Sequence, residues 1–202
     1  MNKGRIAVFL SGRGSNFTAM VRASRKADAN FSVHLVICDR QDAPGLKKAA
    51  RIGIPACYIN PRQFPDKAAY ENEICGHLQR ENIDLICLAG YMRLIGPVLL
   101  DKYPGRIMNI HPALLPSFPG LDAQEQALRY GVKVSGCTVH FVDAGTDSGP
   151  VIAQQAVAVR EGDTQEALNR RILRHEHRLY PWAVCQFFAG RLQIQGRTVI
   201  IK

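Results

Sequence analysis

Short apolar segments that alternate with helix-like stretches most constrain how this 202-residue chain can fold. Segments of this kind are typical of strands that are buried on both faces of a parallel sheet. The stretches between them carry helical patterns, and the longest, residues 65–81, is amphipathic. Because repeated strand–helix units form a parallel sheet covered by helices, we predict an α/β fold with a mostly parallel sheet and helices on both faces. The predicted strands of the first half are residues 6–10, 33–38, 56–59, 85–89 and 106–110.

The second half of the chain has longer predicted elements. The pattern Asp163-x-x-Glu166 resembles a capping box and predicts the start of a long helix that ends before Gly190. Pro181 lies inside this helix and is expected to kink or split it. The sequence shows neither repeats nor a linker, so we predict a single domain over residues 1–202. The other predicted elements are a helix over 123–130 that ends at Gly131, strands over 135–142 and 151–159, and a hairpin around 195–197.

The charge balance limits the class of partner. A net charge of +9 suits anionic small molecules and also nucleic acid. The basic residues form no long block, and the arginines at 170, 171, 174 and 178 have the spacing of a solvated helix face. We therefore expect small-molecule partners rather than nucleic acid. No apolar run is long enough to span a bilayer and the N-terminus lacks a secretory pattern, so we expect a cytoplasmic protein, monomeric or homodimeric, without a membrane partner.

The cysteines and histidines give little sign of a metal centre. The six cysteines are scattered and form no Cys-x-x-Cys pair, which favours reduced, mostly buried thiols. His175 and His177 flank Glu176 but are not four residues apart, as helical metal ligands usually are. We predict that the protein uses no metal.

A glycine-rich turn, Ser11-Gly12-Arg13-Gly14-Ser15-Asn16, follows the first predicted strand and precedes the first helix. Glycines let the backbone approach a ligand, and the amides at a helix start favour an anion. The alternative is a dinucleotide site, for which Asp39 could supply the acidic residue after the second strand. That fingerprint requires a third glycine where Phe17 stands, so we favour a phosphate monoester.

Asn109, His111 and Asp147 form the candidate catalytic group. Asn109 and His111 end a predicted strand two residues apart, so both side chains lie on one face. Asp147 lies in the loop Asp143-Ala144-Gly145-Thr146-Asp147-Ser148-Gly149-Pro150. Each of the three residues could instead have a structural role, as a strand cap, a loop histidine or a turn residue. Together they suit a reaction that builds negative charge on a carbonyl oxygen and moves a proton. His140 is a second imidazole, but its position inside a predicted strand favours a structural role.

These motifs extend to a resemblance over nearly the whole chain. The segments that carry it are Ser11 to Asn16, Leu88-Ala89-Gly90-Tyr91-Met92-Arg93, Asn109-Ile110-His111-Pro112, Leu114-Leu115-Pro116-Ser117, Val139 to Asp143, Asp147-Ser148-Gly149-Pro150, and Glu176-His177 before Tyr180-Pro181. On these segments the chain resembles the phosphoribosylglycinamide formyltransferases. The resemblance implies a Rossmann-like formyltransferase fold, with a phosphate-binding half at about 1–100 and a folate-binding, catalytic half at about 101–202.

The resemblance also implies a role for particular residues. Gly14, Ser15 and Asn16 would hold the phosphate of glycinamide ribonucleotide, and Glu176 its ribose hydroxyls. Asn109, His111 and Asp147 would be catalytic, and 10-formyltetrahydrofolate would be the co-substrate. Some family members have histidines where this chain has Leu121-Asp122-Ala123-Gln124, so an auxiliary role of those histidines does not carry over. The folate would contact Lys67, Met92, Arg93, Leu94, Ile95, Asn109, Asp143, Ala144, Gly145, Thr146 and Asp147.

Three functions remain open on the sequence. The first is formyl transfer to glycinamide ribonucleotide, in which Asn109 and protonated His111 would stabilise the oxyanion and Asp147 would favour the protonated imidazole. The second is hydrolysis by a deformylase, ranked lower because those enzymes usually carry an additional N-terminal domain. The third is nucleotide or nicotinamide binding without formyl chemistry. The bond between Leu115 and Pro116 could be cis, although base rates favour trans.

Overall fold

The protein is described by a computed structural model over residues 3–202. It divides into two compact units, one ending at Met108 and the other comprising Asn109–Lys202. The prediction of a single domain over residues 1–202 is not tested by this division and stays a prediction. Residues 1 and 2, which begin the segment judged to lack a secretory pattern, lie outside the described residues.

The first unit is a parallel sheet with connecting helices. Its strand order is β3-β2-β1-β4, and β1 pairs in parallel with both β2 and β4. The mostly parallel sheet flanked by helices confirms the predicted α/β fold class. The strands are β1 (Gly4–Leu10), β2 (Phe31–Cys38), β3 (Ala56–Tyr58), β4 (Leu85–Leu88) and the start of β5 (Ile107–His111), and the helices are α1 (Ser15–Ser24), α2 (Pro44–Arg51), α3 (Lys67–Arg80) and α4 (Pro97–Lys102), with a 3-10 turn at Pro61–Gln63.

Burial explains why the apolar segments become the central strands. Residues 6–10 of β1 have no solvent-exposed surface, and the same holds for residues 85–87 of β4. Side chains point to both faces of a strand, so complete burial means that both faces of these strands are covered. At the start of β1 the exposure rises, because Gly4 and Arg5 lie where the strand begins.

The second unit begins in β5 at Asn109 and changes the strand direction. Its strand order is β5-β6-β7-β9-β8. β6 runs antiparallel to β7, β9 pairs in parallel with β7, and β8 and β9 form the predicted terminal hairpin. The elements after β5 are α5 (Ala123–Tyr130), β6 (Val134–Phe141), β7 (Val151–Ala158), α6 (Gln165–Phe188), β8 (Leu192–Gln195) and β9 (Thr198–Ile201).

The predicted N-cap of α6 is wrong, and of the two outcomes expected at Pro181 the split does not occur. The N-cap is Thr164, whose Oγ1 accepts a hydrogen bond from the Ala167 amide at 3.2 Å. Asp163, predicted as the cap, instead forms a bidentate pair with Arg171, at 2.6 and 2.7 Å. The helix also continues through Pro181 instead of splitting there. Tyr180, Pro181, Ala183 and Val184 are buried, and this packing outweighs the loss of one backbone hydrogen bond.

The isomer of one proline bond differs from expectation. The peptide bond between Leu115 and Pro116 is cis, whereas base rates favoured trans.

Among residues 3–202, none of the helices has both the length and the apolar character needed to cross a membrane.

Candidate active site

Three side chains meet at the end of β5. Asn109 Nδ2 donates a hydrogen bond to Asp147 Oδ1 at 3.2 Å. His111 Nδ1 lies 3.2 Å from Asp147 Oδ2. His111 is only 4% exposed, so its interaction with the carboxylate is largely shielded from water. The amide and imidazole of β5 are thus both in contact with the Asp147 carboxylate, which comes from a distant segment of the sequence.

The hydrogen bonds of His111 fix which nitrogen carries its proton. Nε2 lies 2.8 Å from the Phe118 carbonyl oxygen. A carbonyl oxygen can only accept, so Nε2 carries the proton in the neutral ring. Nδ1 therefore presents its lone pair to Asp147 and can take up a second proton there. The Nδ1–Oδ2 contact is the place in this unit where a proton would be shared between imidazole and carboxylate.

His140, interpreted from the sequence as structural, is the fourth member of the group. It is 2% exposed, and its Nδ1 donates to the Phe141 carbonyl oxygen at 2.8 Å. Its Nε2 therefore faces Asn109 Nδ2 at 3.2 Å and Asp147 Oδ1 at 3.6 Å. The sequence signal that could have found it is the i, i+2 pair Thr138 and His140, two polar residues on one face of β6.

The pKa of His111 is lowered by burial in spite of the nearby carboxylate. Burial lowers the pKa of His111 below its ordinary value of 6.5, and the charge of Asp147 and the Phe118 carbonyl only partly oppose this. We had expected Asp147 to favour the protonated imidazole. The carboxylate does push in that direction, but desolvation of the charged ring is the larger effect.

For the pKa of Asp147, the neighbouring groups outweigh the effect of burial. Burial alone would raise the pKa of this carboxyl, but the adjacent His140 side chain, the hydrogen bond from the Gly120 amide and the electrostatic effect of His111 lower the pKa below its ordinary value of 3.8. The Gly120 amide donates to Oδ2 at 2.8 Å. At neutral pH the Asp147 carboxyl is therefore ionised, and it lies against Nδ1 of His111.

The loop that carries Asp147 is tied to its own first residue. Asp143 Oδ1 accepts from the Gly145 amide at 3.0 Å and from Ser148 Oγ at 2.7 Å. A Cβ on Gly145 would overlap the Ser148 side chain, and one on Gly149 would overlap the Phe141 carbonyl. Asp147 itself adopts a left-handed backbone with φ 51°. These contacts explain why the loop needs small residues around Asp147.

Thr138 anchors the turn that follows His111. Its fully buried Oγ1 donates to the Ala113 carbonyl at 2.7 Å and accepts from the Leu115 amide at 3.0 Å. Gln154 Nε2 contacts the same oxygen at 3.0 Å and donates to the Leu115 carbonyl at 2.8 Å. The turn is therefore held against β6 and β7 by polar groups that the sequence alone did not single out.

A cavity of about 280 Å³ lies beside Asp147. It belongs entirely to the second unit and combines apolar walls with the Asp147 carboxylate and one arginine. Its lining residues are Leu115, Pro116, Pro119, Thr146, Asp147, Ser148, Gly149, Val151 and Arg197.

In the first unit, the glycine-rich turn leads into α1 as predicted. Gly14 is the N-cap of α1 and has φ 65°, and Ser15 and Asn16 are the first two helical residues. Gly45 packs against this turn, since its amide donates to the Gly12 carbonyl at 3.0 Å. Phe17 is fully buried, so a bulky core residue occupies the position where a dinucleotide site would have glycine. The geometry supports an anion at the helix start.

The segment 92–95 lies beside the same turn. The Met92 amide donates to Ser11 Oγ at 2.9 Å, a link that the sequence did not reveal. Met92 and Leu94 are 55% and 63% exposed, which is unusual for large apolar side chains that follow a buried strand. Arg93 stacks over the Tyr70 ring at 5.5 Å. The segment therefore offers an apolar surface with a fixed cation.

The two remaining predicted residues lie on helices. Lys67 is the first residue of α3 and is exposed. Glu176 is buried within α6 at 4% exposure. Burial raises the pKa of Cys137 to about 12, and the negative charge of Glu176 adds to this, so Glu176 lies near β6. Among residues 3–202, the structure holds no cluster of three or more His, Cys, Asp or Glu side chains suited to a metal.

Comparison with known proteins decides the family. A family model described as formyl transferase matches residues 4–184. The chain belongs to this formyl transferase family. The phosphoribosylglycinamide formyltransferase of Bacillus subtilis is 47% identical over 182 residues, covering 90% of this chain and 93% of that protein. The crystal structure of glycinamide ribonucleotide transformylase 1 from Symbiobacterium toebii matches with a TM-score of 0.96 and 52% identity, covering 98% of this chain and 94% of that one. The predicted resemblance is confirmed.

A deformylase is a more distant neighbour within the same comparison. The formyltetrahydrofolate deformylase of Pseudomonas syringae pv. tomato matches with a TM-score of 0.89 but 25% identity, covering 99% of this chain and 66% of that one. The transferases share about twice this identity with the chain. Among formyl transferase family activities, transfer is therefore favoured over hydrolysis.

Proposed function

We propose that this chain transfers the formyl group of 10-formyltetrahydrofolate to the amine of glycinamide ribonucleotide, in de novo purine (IMP) biosynthesis. The observation that carries the proposal is the direct contact of Asn109, His111 and Asp147, in a chain of the formyl transferase family. An amide and an imidazole can donate to a carbonyl oxygen, and the carboxylate beside them can accept a proton.

Glycinamide ribonucleotide is proposed to bind through its phosphate and ribose. Gly14, Ser15 and Asn16 present the N-terminus of α1, where backbone amides and the helix dipole favour a phosphate. Glu176 is an acceptor that suits a pair of ribose hydroxyls. This assignment uses a phosphate monoester, in agreement with the bulky Phe17 in place of a third glycine.

The formyl-folate is proposed to be the co-substrate, without a metal. The exposed apolar side chains of Met92 and Leu94 suit an aromatic ring system, and the loop around Asp147 offers backbone donors and acceptors. Lys67 is proposed to attract the acidic tail of the folate, since it is exposed and cationic. The folate contacts proposed are Lys67, Met92, Arg93, Leu94, Ile95, Asn109, Asp143, Ala144, Gly145, Thr146 and Asp147.

The reaction forms one bond and breaks another. The uncharged amine attacks the formyl carbon, an N–C bond forms, and the carbonyl electrons move to the oxygen. When the tetrahedral species collapses, the bond from carbon to N10 of the folate breaks and N10 takes a proton. Asn109 Nδ2 and His111 Nε2 are proposed to donate to the oxyanion, and one such donor is typically worth roughly 2.7–4 kcal/mol in the barrier.

These donors are already engaged in the protein without substrate. Asn109 donates to Asp147, and His111 Nε2 donates to the Phe118 carbonyl. The formyl oxygen must therefore replace these acceptors. The proton released by the attacking amine is proposed to enter the contact between His111 Nδ1 and Asp147, and to return to N10 directly or through a water.

The test follows the formyl group by absorbance. The protein is mixed with 10-formyltetrahydrofolate, with and without glycinamide ribonucleotide. Turnover that requires the ribonucleotide and collapses in His111→Ala supports the proposal. His34→Ala is the matched control, because His34 lies on β2 and belongs to none of the proposed catalytic or substrate-binding sets. Turnover without the ribonucleotide would indicate a deformylase, and its complete absence would point to binding without formyl chemistry.

The compartment and assembly are proposed together. All six cysteines are free thiols, which suits a reducing compartment, so we propose that the enzyme acts in the cytoplasm. We further propose that it works as a monomer or homodimer on small-molecule substrates, without nucleic acid or membrane partners.

A further inference from the structure

The turn of the terminal hairpin reaches the loop that carries Asp147. Arg197 lies between β8 and β9, and its Nη2 donates to the Ser148 carbonyl at 2.9 Å. β9 joins β7 through a single residue pair, Val151 with Thr198. The hairpin is thus attached to the sheet beside the loop, and one side chain from its turn extends onto the residue after Asp147.

Other contacts of the loop hold its two ends, and Arg197 bonds the Ser148 carbonyl between them. Asp143 holds Gly145 and the Ser148 side chain, and Gly149 packs against the Phe141 carbonyl. These contacts fix the two ends of the loop. The Ser148 carbonyl, one residue beyond the left-handed Asp147 backbone, receives its hydrogen bond from Arg197.

We propose that Arg197 is a positioning residue that holds the Asp147 carboxylate against His111, an inference that rests on the proposed function. Arg197 also lines the cavity beside Asp147. A hydrogen bond from a guanidinium is stronger than one between neutral groups. Because Arg197 is otherwise exposed, ordering its long side chain has an entropic cost, so its effect is on the loop rather than on global stability.

The variant Arg197→Ala isolates this contact. We expect hydrogen exchange of the amides of residues 144–148 to become faster in the substrate-free protein, while exchange in β6 is unchanged. We expect kcat to fall about 5- to 30-fold, the range for losing one such contact, with little change in KM for glycinamide ribonucleotide. The acidic limb of the kcat–pH profile should also shift, because the Asp147 charge raises the pKa of His111 and acts less strongly when the carboxylate is displaced.

Two further variants separate positioning from general structure. Arg197→Lys keeps a charged donor and should restore most of kcat and of the loop protection. Arg191→Ala is the control: Arg191 is an exposed arginine next to the same hairpin, and its Nη1 donates to Gln186 Oε1 at 3.3 Å. This variant should match the wild type.

Unchanged loop exchange with kcat within twofold of the wild type would overturn the proposal. So would a uniform increase in exchange across the second unit, since that marks a purely structural role. If the wild type lacks formyl transfer but Arg197→Ala still loosens residues 144–148, the proposed function fails and the loop-holding role of Arg197 stands.

Discussion

Removing the hydroxyl of Thr138, which lies outside the candidate catalytic group, is predicted to destabilise the fold and to lower activity. Thr138→Val keeps the shape of the side chain and removes the oxygen that bonds Ala113, Leu115 and Gln154. Gln154 keeps a partner, because its Nε2 also donates to the Leu115 carbonyl. The Ala113 carbonyl and the Leu115 amide each lose the Thr138 hydrogen bond.

The expected cost follows from these two backbone groups. Ala113 is fully buried and Leu115 is 7% exposed, so water cannot readily replace the lost bonds. A buried polar group left without its partner costs about 1–3 kcal/mol, which gives about 2–6 kcal/mol for the pair. Thr138→Ser is the matched control, because it keeps the hydroxyl and removes one methyl, at a cost of about 1 kcal/mol.

Urea unfolding followed by circular dichroism measures both variants against the wild type. Formyl transfer measured under conditions where each variant is folded adds a second readout. The Val variant should also lose activity, since the turn held by Thr138 directly follows His111. If Thr138→Val is no less stable than Thr138→Ser, the reasoning about the two backbone groups is refuted.

Three other outcomes are expected. Asp147→Asn should lower kcat by about 10²–10⁴-fold, because an amide cannot accept the proton; a loss below tenfold, or an equal loss in the exposed control Asp101→Asn, would contradict this role. The pKa of folded His111 lies below 6.5, so the unfolded chain binds the proton more tightly. The contribution of neutral His111 to the free energy of unfolding is therefore fully present above about pH 6.5 and is lost as the pH falls toward the folded pKa. The urea midpoint should decline over that pH window, and it should decline less steeply in His111→Asn. Gly149→Ala should lower Tm and activity together, since its Cβ would overlap the Phe141 carbonyl, and an unchanged Tm would refute the overlap.

The sequence predicted the central strands well because their signal is burial itself. The run 6–10 was recognised and is buried throughout. The structure extends β1 back to Gly4, whose amide donates to Asn30 at 2.9 Å. Gly4 and Arg5 pair as strand residues without being apolar, so no hydrophobic pattern marks them. A hydrophobic pattern therefore cannot detect a strand boundary that is set by backbone hydrogen bonds.

The wrong N-cap of α6 and the unforeseen contacts of His140 on β6 have a common physical origin. Asp163 and Thr164 are both good N-cap residues, and the choice between them depends on Arg171, eight residues away, which engages the Asp163 carboxylate. His140 is interpreted as structural from the sequence because it lies inside a predicted strand. Its place in the site depends on Asn109, which comes from another strand. In each case a tertiary contact selects between locally equivalent alternatives.

Asn109 and His111, the proposed oxyanion donors, are already hydrogen-bonded within the protein. Asn109 donates to a carboxylate and His111 to a carbonyl before substrate arrives. A neutral formyl oxygen is a weaker acceptor than the Asp147 carboxylate, so it competes poorly for the Asn109 amide. A tetrahedral oxyanion is charged and competes well. In the proposed mechanism the donors are therefore released to the substrate mainly as negative charge develops, which would favour the transition state over bound substrate.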